Sequence, residues 1–191
     1  MARNVEFSEE AAVQKAMEVF RRKGYSGASL RDLTDAMQIN SSSLYNTIGD
    51  KRQLFVRCIR SYTKASREEA LLHKANHTSP LQGVISFIDA AINNIASNNN
   101  CMVIKMTFEI AGTDSDVKAL LRQANEFAHT FLLQLIKEAI AQNELREDLD
   151  AETATNCIIN AFTGWHESYI LHQDTERIQK MAHYLIAQLT P

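Results

Sequence analysis

Proline and glycine are scarce in this 191-residue chain, with two prolines (Pro80, Pro191) and six glycines. There are no alternating strand-like runs joined by Asn-Gly or Asp-Gly turns and no internal repeat, which argues against a β-rich or repeat architecture. Three cysteines, Cys58, Cys101 and Cys157, are widely spaced and odd in number, so a disulfide framework is not expected and a reducing cytoplasm is. No apolar run of 18 residues offers a membrane span, and MARNVEFSEEAAVQKA has no apolar core of a secretory signal. A Gly-rich phosphate loop, a nucleophile elbow, His-Glu-x-x-His and Cys-x-x-Cys are all missing. The paired acids Glu9-Glu10 and Glu68-Glu69 sit where exposed helix faces are expected, so an enzyme is not the expectation. His73 and His77 have i, i+4 spacing but no third ligand nearby, so neither a metal nor another cofactor is expected.

What is present is helical periodicity. Apolar residues make up 45 % of the chain and mostly recur every three or four positions. The net charge of −3 hides a division. Residues 1–60 hold ten Lys/Arg against seven Asp/Glu, and residues 61–191 hold ten against sixteen. A mildly basic head on an acidic body suits contact with phosphates at one end.

The first helix is predicted to open at Ser8 as N-cap and to stop near Gly24, with Ala12, Ala16, Val19 and Phe20 as its buried stripe. Ser29-Leu30-Arg31-Asp32 is a capping-box variant opening a second helix that buries Leu30, Leu33 and Met37. Asn40 caps a third, short helix over 41–47. After Gly49-Asp50 a long helix runs over 51–74, with Leu54, Phe55, Cys58, Ile59 and Tyr62 on one side. Pro80 suits the first turn of a fifth helix to 96, and 97–101 forms a loop. Helical patterns then cover 102–111, 116–142, 151–172 and 175–189.

Two short helices joined by a tight turn can place side chains in a DNA major groove. In the third helix Leu44 and Ile48 face inward, leaving Ser41, Ser42, Tyr45, Asn46 and Thr47 outside. Asn46 can pair bidentately with adenine, while Tyr45 and Lys51 suit phosphates. Periodicity alone equally allows three amphipathic helices of an ordinary bundle, and hence a helical protein-interaction adaptor that does not bind DNA.

The residues from Ala12 to Phe55 resemble, without a gap, the N-terminal domain of TetR-family transcriptional regulators. The resemblance is carried by Phe20, Gly24-Tyr25, Ala28-Ser29, Asp32-Leu33, Ile39-Asn40, Leu44-Tyr45, Gly49-Asp50-Lys51 and Leu54. The chain departs from the family pattern at Thr34 (usually Ala), Gln38 (usually Gly), Ser42 (usually Gly) and Thr47-Ile48 (usually His/Tyr-Phe). Gln38 is therefore expected to adopt positive φ.

The resemblance implies an all-α fold with an N-terminal three-helix DNA-binding domain (1–50) and a helical ligand-binding and dimerisation domain (51–191). It implies a repressor released from a double-stranded, inverted-repeat operator by a small-molecule inducer, with Ser29 and Arg31 joining Ser41, Ser42, Tyr45, Asn46, Thr47 and Lys51 at the DNA. It also implies a homodimer through the last two helices, whose stripes carry Cys157, Ile158, Ala161, Phe162 and Trp165, then Ile178, Met181, Leu185, Ile186 and Leu189. Candidate inducer-binding residues are Met102, Met106, Phe108, Glu109, Phe127, Phe131, Trp165, His166 and Tyr169, with Glu109 and His166 as orienting polar groups. Asn100-Cys101-Met102-Val103-Ile104 resembles a Gly-Cys-Leu-Leu-Val stretch of a TetR subgroup, some of whose members sense electrophiles. Cys101 is on that ground a candidate redox or electrophile sensor.

Overall fold

The computed structural model describes residues 9–97 and 101–191, and of His73 and Asn76 the backbone only. The expected Ser8 cap and residues 98–100 of the expected 97–101 loop lie outside the described residues. Nine helices and no strand occur among those described: α1 (Glu9–Gly27), α2 (Leu30–Met37), α3 (Ser41–Thr47), α4 (Lys51–Asn76), α5 (Pro80–Ala96), α6 (Met102–Glu109), α7 (Ser115–Ala141), α8 (Ala151–His172) and α9 (Thr175–Ala187).

Local chemistry sets most of the boundaries. At Ser29 the hydroxyl accepts from the Asp32 amide and the Asp32 carboxylate accepts from the Ser29 amide, a complete capping box. Asn40 caps α3 through the Ser43 amide, and Asp50 with Gln53 forms a second box at the start of α4. Ser79 caps α5 with Pro80 in its first turn. Gly24 adopts φ +78°, which ends the regular part of α1.

Two cores share the molecule. The first packs α1–α4 together with α6 and the start of α7, through Phe20, Leu33, Leu44, Phe55, Ile59, Met102, Met106 and Leu121. Phe20, Tyr25 and Phe55 meet there with ring centroids 4.7–6.1 Å apart. The second packs α5 and α7–α9 through Ile88, Leu132, Ile136, Ile158, Trp165 and Ile178. The expected division at residue 50 thus falls at the N-cap of α4, inside the first core. Leu30, expected to be buried, is 36 % exposed: Leu33, Thr34 and Met37 form the inward face of α2, and Leu30 lies at its outer edge. Thr34 is buried with its hydroxyl donating to the Leu30 and Arg31 carbonyls, so the polar group costs little there.

Gln38 does adopt positive φ, +59°, between α2 and α3. A Cβ in that region costs about 1–2 kcal/mol, against about 0.5–1 kcal/mol for the added chain freedom of glycine. Gln38→Gly is therefore expected to raise the unfolding free energy by about 0.5–1 kcal/mol in urea titration, even with the exposed Lys15–Gln38 hydrogen bond lost. An unchanged or lower midpoint would show that the turn is not strained.

Candidate DNA-reading face and body cavity

Helix α3 is seven residues long and is held by one fully buried side chain, Leu44, with Ile48 closing its end. Ser41, Ser42, Tyr45, Asn46 and Thr47 are all exposed, Tyr45 by 52 %. These five expected contact residues form one polar surface. Lys51, the first residue of α4, adjoins it with its Nζ 4.6 Å from the Tyr25 ring centroid, a cation–π contact that orients the ammonium. Burial and the nearby Asp50 carboxylate raise the Tyr25 pKa, so the ring stays neutral beneath that cation. Arg31 is almost fully exposed and pairs loosely with Asp35 at 3.6 Å. Ser29 is exposed but its hydroxyl is engaged with Asp32, which Lys23 also holds at 2.6 Å. Those bonds keep the Asp32 carboxyl well below the usual range and tie α1 to α2.

Two joints fasten this head to the body. Arg52 makes a bidentate pair with Asp114, the N-cap of α7, at 2.7 and 2.9 Å, and reaches Asp116 at 2.8 Å. Its guanidinium bonds hold the Asp114 carboxyl down to about 2. At the second joint, Lys105 of α6 donates to the Arg21 and Arg22 carbonyls, and Glu109 accepts from the Tyr25 and Ser26 amides. One helix of the body thus satisfies both the carbonyls and the following amides at the end of α1.

Because the folded-state pKa of Asp114 lies below its unfolded value of about 3.9, the joint contributes stability above about pH 4 and loses it as pH falls toward 2. Wild type is expected to exceed Asp114→Asn in urea stability at pH 5, with the gap closing by about pH 2. A gap independent of pH would assign the effect to packing rather than charge.

The body holds a cavity of about 770 Å³, open to solvent on one side, between α4, α5, α7 and α8, within the size range of small-molecule sites. Phe87, Phe127, Phe131 and Phe162 form a continuous aromatic wall with centroids 5.5–6.0 Å apart. Asn94, Asn156 and Asn160 supply amides, and His129, paired with Glu152 at 3.1 Å, closes one side. Cys101 also lines the cavity, accepting at 3.7 Å from the Tyr62 hydroxyl, which accepts in turn from Asn94 at 2.8 Å. Burial above all raises the Tyr62 pKa.

Of the nine residues expected at a ligand, Phe127 and Phe131 line this cavity. The other seven lie elsewhere. Met102 and Met106 are buried in the first core, and Phe108 is 76 % exposed on the outer face of α6. Glu109 is spent on the Tyr25 and Ser26 amides. Trp165 is packed behind the wall against Phe162, and the Tyr169 hydroxyl donates to the Ala96 carbonyl at 2.8 Å. His166 is 6 % exposed, and burial, then Lys105, lowers its pKa. Phe87, Asn94, Asn156 and Asn160 were not singled out from sequence. No local signal marks Asn156 and Asn160, because the start of α8 also carries the polar Glu152, Thr153 and Thr155.

The apolar stripes expected to meet a second copy are largely used within the chain: Ile158, Trp165, Ile178, Ile186 and Leu189 are buried in the second core. The exposed apolar groups on these helices are instead Ile170, Leu171 and Tyr184, at 51–70 %. No helix among the described residues is long and apolar enough to cross a membrane.

An exposed polar helix held on two others, beside a lysine at a helix N-terminus, places the chain in the helix–turn–helix class of DNA-binding proteins. Family comparison narrows the class. Residues 12–58 match the model for bacterial regulatory proteins of the tetR family, and residues 80–185 match the tetracyclin repressor-like C-terminal domain. The chain belongs to the TetR family of DNA-binding transcriptional regulators. It is 29 % identical over 155 residues to the uncharacterized HTH-type transcriptional regulator YezE of Bacillus subtilis, covering 78 % of this chain and 79 % of that one. Its fold matches a TetR-family regulator from Agrobacterium tumefaciens with a TM-score of 0.88 at 18 % identity, over 95 % of this chain and 97 % of the other. It also matches a cysteine mutant of the TetR-family regulator CifR in complex with 26-bp double-stranded operator DNA, with a TM-score of 0.80 at 23 % identity, over 97 % and 98 % of the two chains.

Proposed function

We propose that this chain is a dimeric repressor that two copies of α3 hold on an inverted-repeat operator, and that a small molecule entering the body cavity releases it. The carrying observation is continuity: α4 begins at Lys51 beside the DNA-reading face and, from about three turns later, forms the wall of the cavity at Tyr62, Thr63 and Arg67. Helix α6 adds a second link, with Cys101, Val103 and Ile104 on the cavity and Lys105 and Glu109 on the end of α1. An occupant that shifts either helix moves the head, so ligand and DNA compete through a coupling free energy of about 1–3 kcal/mol. Ile170, Leu171 and Tyr184 are exposed apolar groups of α8 and α9 that a second copy can cover to complete the pair, giving two α3 helices for half-sites about 34–36 Å apart. The cytoplasm, where the DNA lies, is the compartment this reading requires.

Selection from a random duplex library tests the reading. Enrichment of an inverted repeat with half-sites about one helical turn apart is expected. A library with no enriched sequence, or with a single asymmetric site, overturns it.

Cys101 favours a second reading, in which the trigger is covalent. Its sulfur lies in the cavity wall, whereas burial raises the Cys58 thiol to about 12 and keeps it inert. Alkylation of Cys101 is then expected to release operator DNA. Unchanged operator affinity of the Cys101-modified protein would exclude this reading.

A further inference from the structure

We propose that the cavity ligand is an amphipathic organic anion, with a flat apolar body against the phenylalanine wall and its negative group at the Arg60–Arg67 edge of α4. The proposal rests on the reading of this cavity as the effector site and specifies its chemistry.

Residues 61–191 carry sixteen acidic groups against ten basic ones, yet the lining of the cavity inverts that balance. Arg60, Lys64, Arg67 and Lys74 all border it, and Glu69 is the sole carboxylate among the described lining residues. The four cations follow one another at i, i+4, i+7 and i+14 along α4, so they occupy one helix face. Lys74 is satisfied by Glu138 at 2.9 Å, and Lys64 lies 3.9 Å from Glu68. Arg60 and Arg67 have no carboxylate partner among the described residues.

Arg67 is placed where a ligand would meet it. Its guanidinium carbon lies 4.5 Å from the centroid of Phe127, the first ring of the aromatic wall. Stacking on that ring orients the fork while leaving its N–H donors free, and a planar fork matches a carboxylate or sulfonate. The wall then continues from Phe127 to Phe131, Phe87 and Phe162, which favours a flat apolar body. Such a ligand ties its charge to α4 itself, the helix that starts at the DNA-reading face, so binding bears directly on the element that must move.

Two fluorescent probes sharing one aromatic body test this on the full-length protein: anilinonaphthalene sulfonate, an anion, and neutral phenylnaphthylamine. Hydrogen bonds to a charged partner predict that the sulfonate binds about tenfold more tightly, with saturation at one probe per chain. Arg67→Gln, and to a lesser degree Arg60→Gln, is expected to remove that preference by lowering the sulfonate's affinity far more than the neutral probe's. Both side chains reach solvent, so the variants should melt as wild type does. Equal affinity for the two probes, or a preference that survives both substitutions, overturns the anionic class and leaves the effector cavity standing. Binding of neither probe overturns both.

Discussion

Removing the Tyr45 ring and the Lys51 ammonium together lowers affinity for every duplex, specific or not, by about a hundredfold, on the basis that each charged or phosphate contact contributes about 1.5–3 kcal/mol. The expectation follows from placement. Tyr45 projects from α3 with half its surface open, and Lys51 is steered by its contact with Tyr25 rather than left free in solvent. The salt dependence of binding should fall by about one counterion with Lys51→Ala, since one phosphate contact is lost. Asn46→Ala should behave differently, flattening preference at one base pair with a smaller loss on non-specific DNA. Neither Tyr45 nor Lys51 is part of the buried core, so the folded state should survive both changes. Gel shifts over a salt series measure all of this. Wild-type affinity and slope in the Tyr45→Ala, Lys51→Ala double variant would remove α3 from the DNA.

Fold and site differ in how legible they were, and the difference is physical. The capping box at Ser29-Asp32, the Asn40 cap and the stop at Gly24 are contacts within a few residues, so the order of side chains along the chain carries them. The reading face was legible for a related reason: Leu44 and Ile48 point inward, and the residues between them must point out. Beyond that range, periodicity says that a side chain is buried but not against what. Met102 and Met106 have the same helical spacing as the cavity phenylalanines, yet they complete the head's core. The stripes on α8 and α9 show the same limit: Trp165 and Ile178 pack against apolar neighbours within the chain, Cys157 is exposed, and Ile170, Leu171 and Tyr184 lie outside. Asn156 and Asn160 look like surface amides and are exposed, and only the placing of α5 and α7 makes them the border of a cavity. Glu109 is the sharpest case. A carboxylate on an apolar helix signalled a purpose, but its partners lie 84 and 83 residues earlier in the chain.

Those partners make Glu109→Ala the second large expected effect, a loss of about 2 kcal/mol in unfolding free energy, because the partly buried Tyr25 amide left without an acceptor costs about 1–3 kcal/mol while the exposed Ser26 amide can turn to water. Gly24, at φ +78° and ψ 174°, turns the Tyr25 and Ser26 amides toward α6, where the two carboxylate oxygens accept at 3.0 and 2.7 Å. The fit is close enough that a Cβ at Gly24 would stand 2.5 Å from Glu109 Oε2, so Gly24→Ala should produce a loss in the same direction. Lys105, whose pKa burial lowers, completes the joint at 2.7 and 3.0 Å from the Arg21 and Arg22 carbonyls. Glu109→Gln retains one acceptor oxygen and should recover about half of the loss. The consequence for DNA is selective. A head no longer registered on its body still presents Tyr45 and Lys51 to phosphates, so non-specific binding persists. Operator binding weakens on the proposed dimeric reading, in which two heads held at a fixed spacing reach successive half-sites. Urea titration together with gel shifts on operator and non-operator duplex measures both effects. Wild-type stability in Glu109→Ala would mean that water replaces the carboxylate without cost, and that α6 does not hold the head in place.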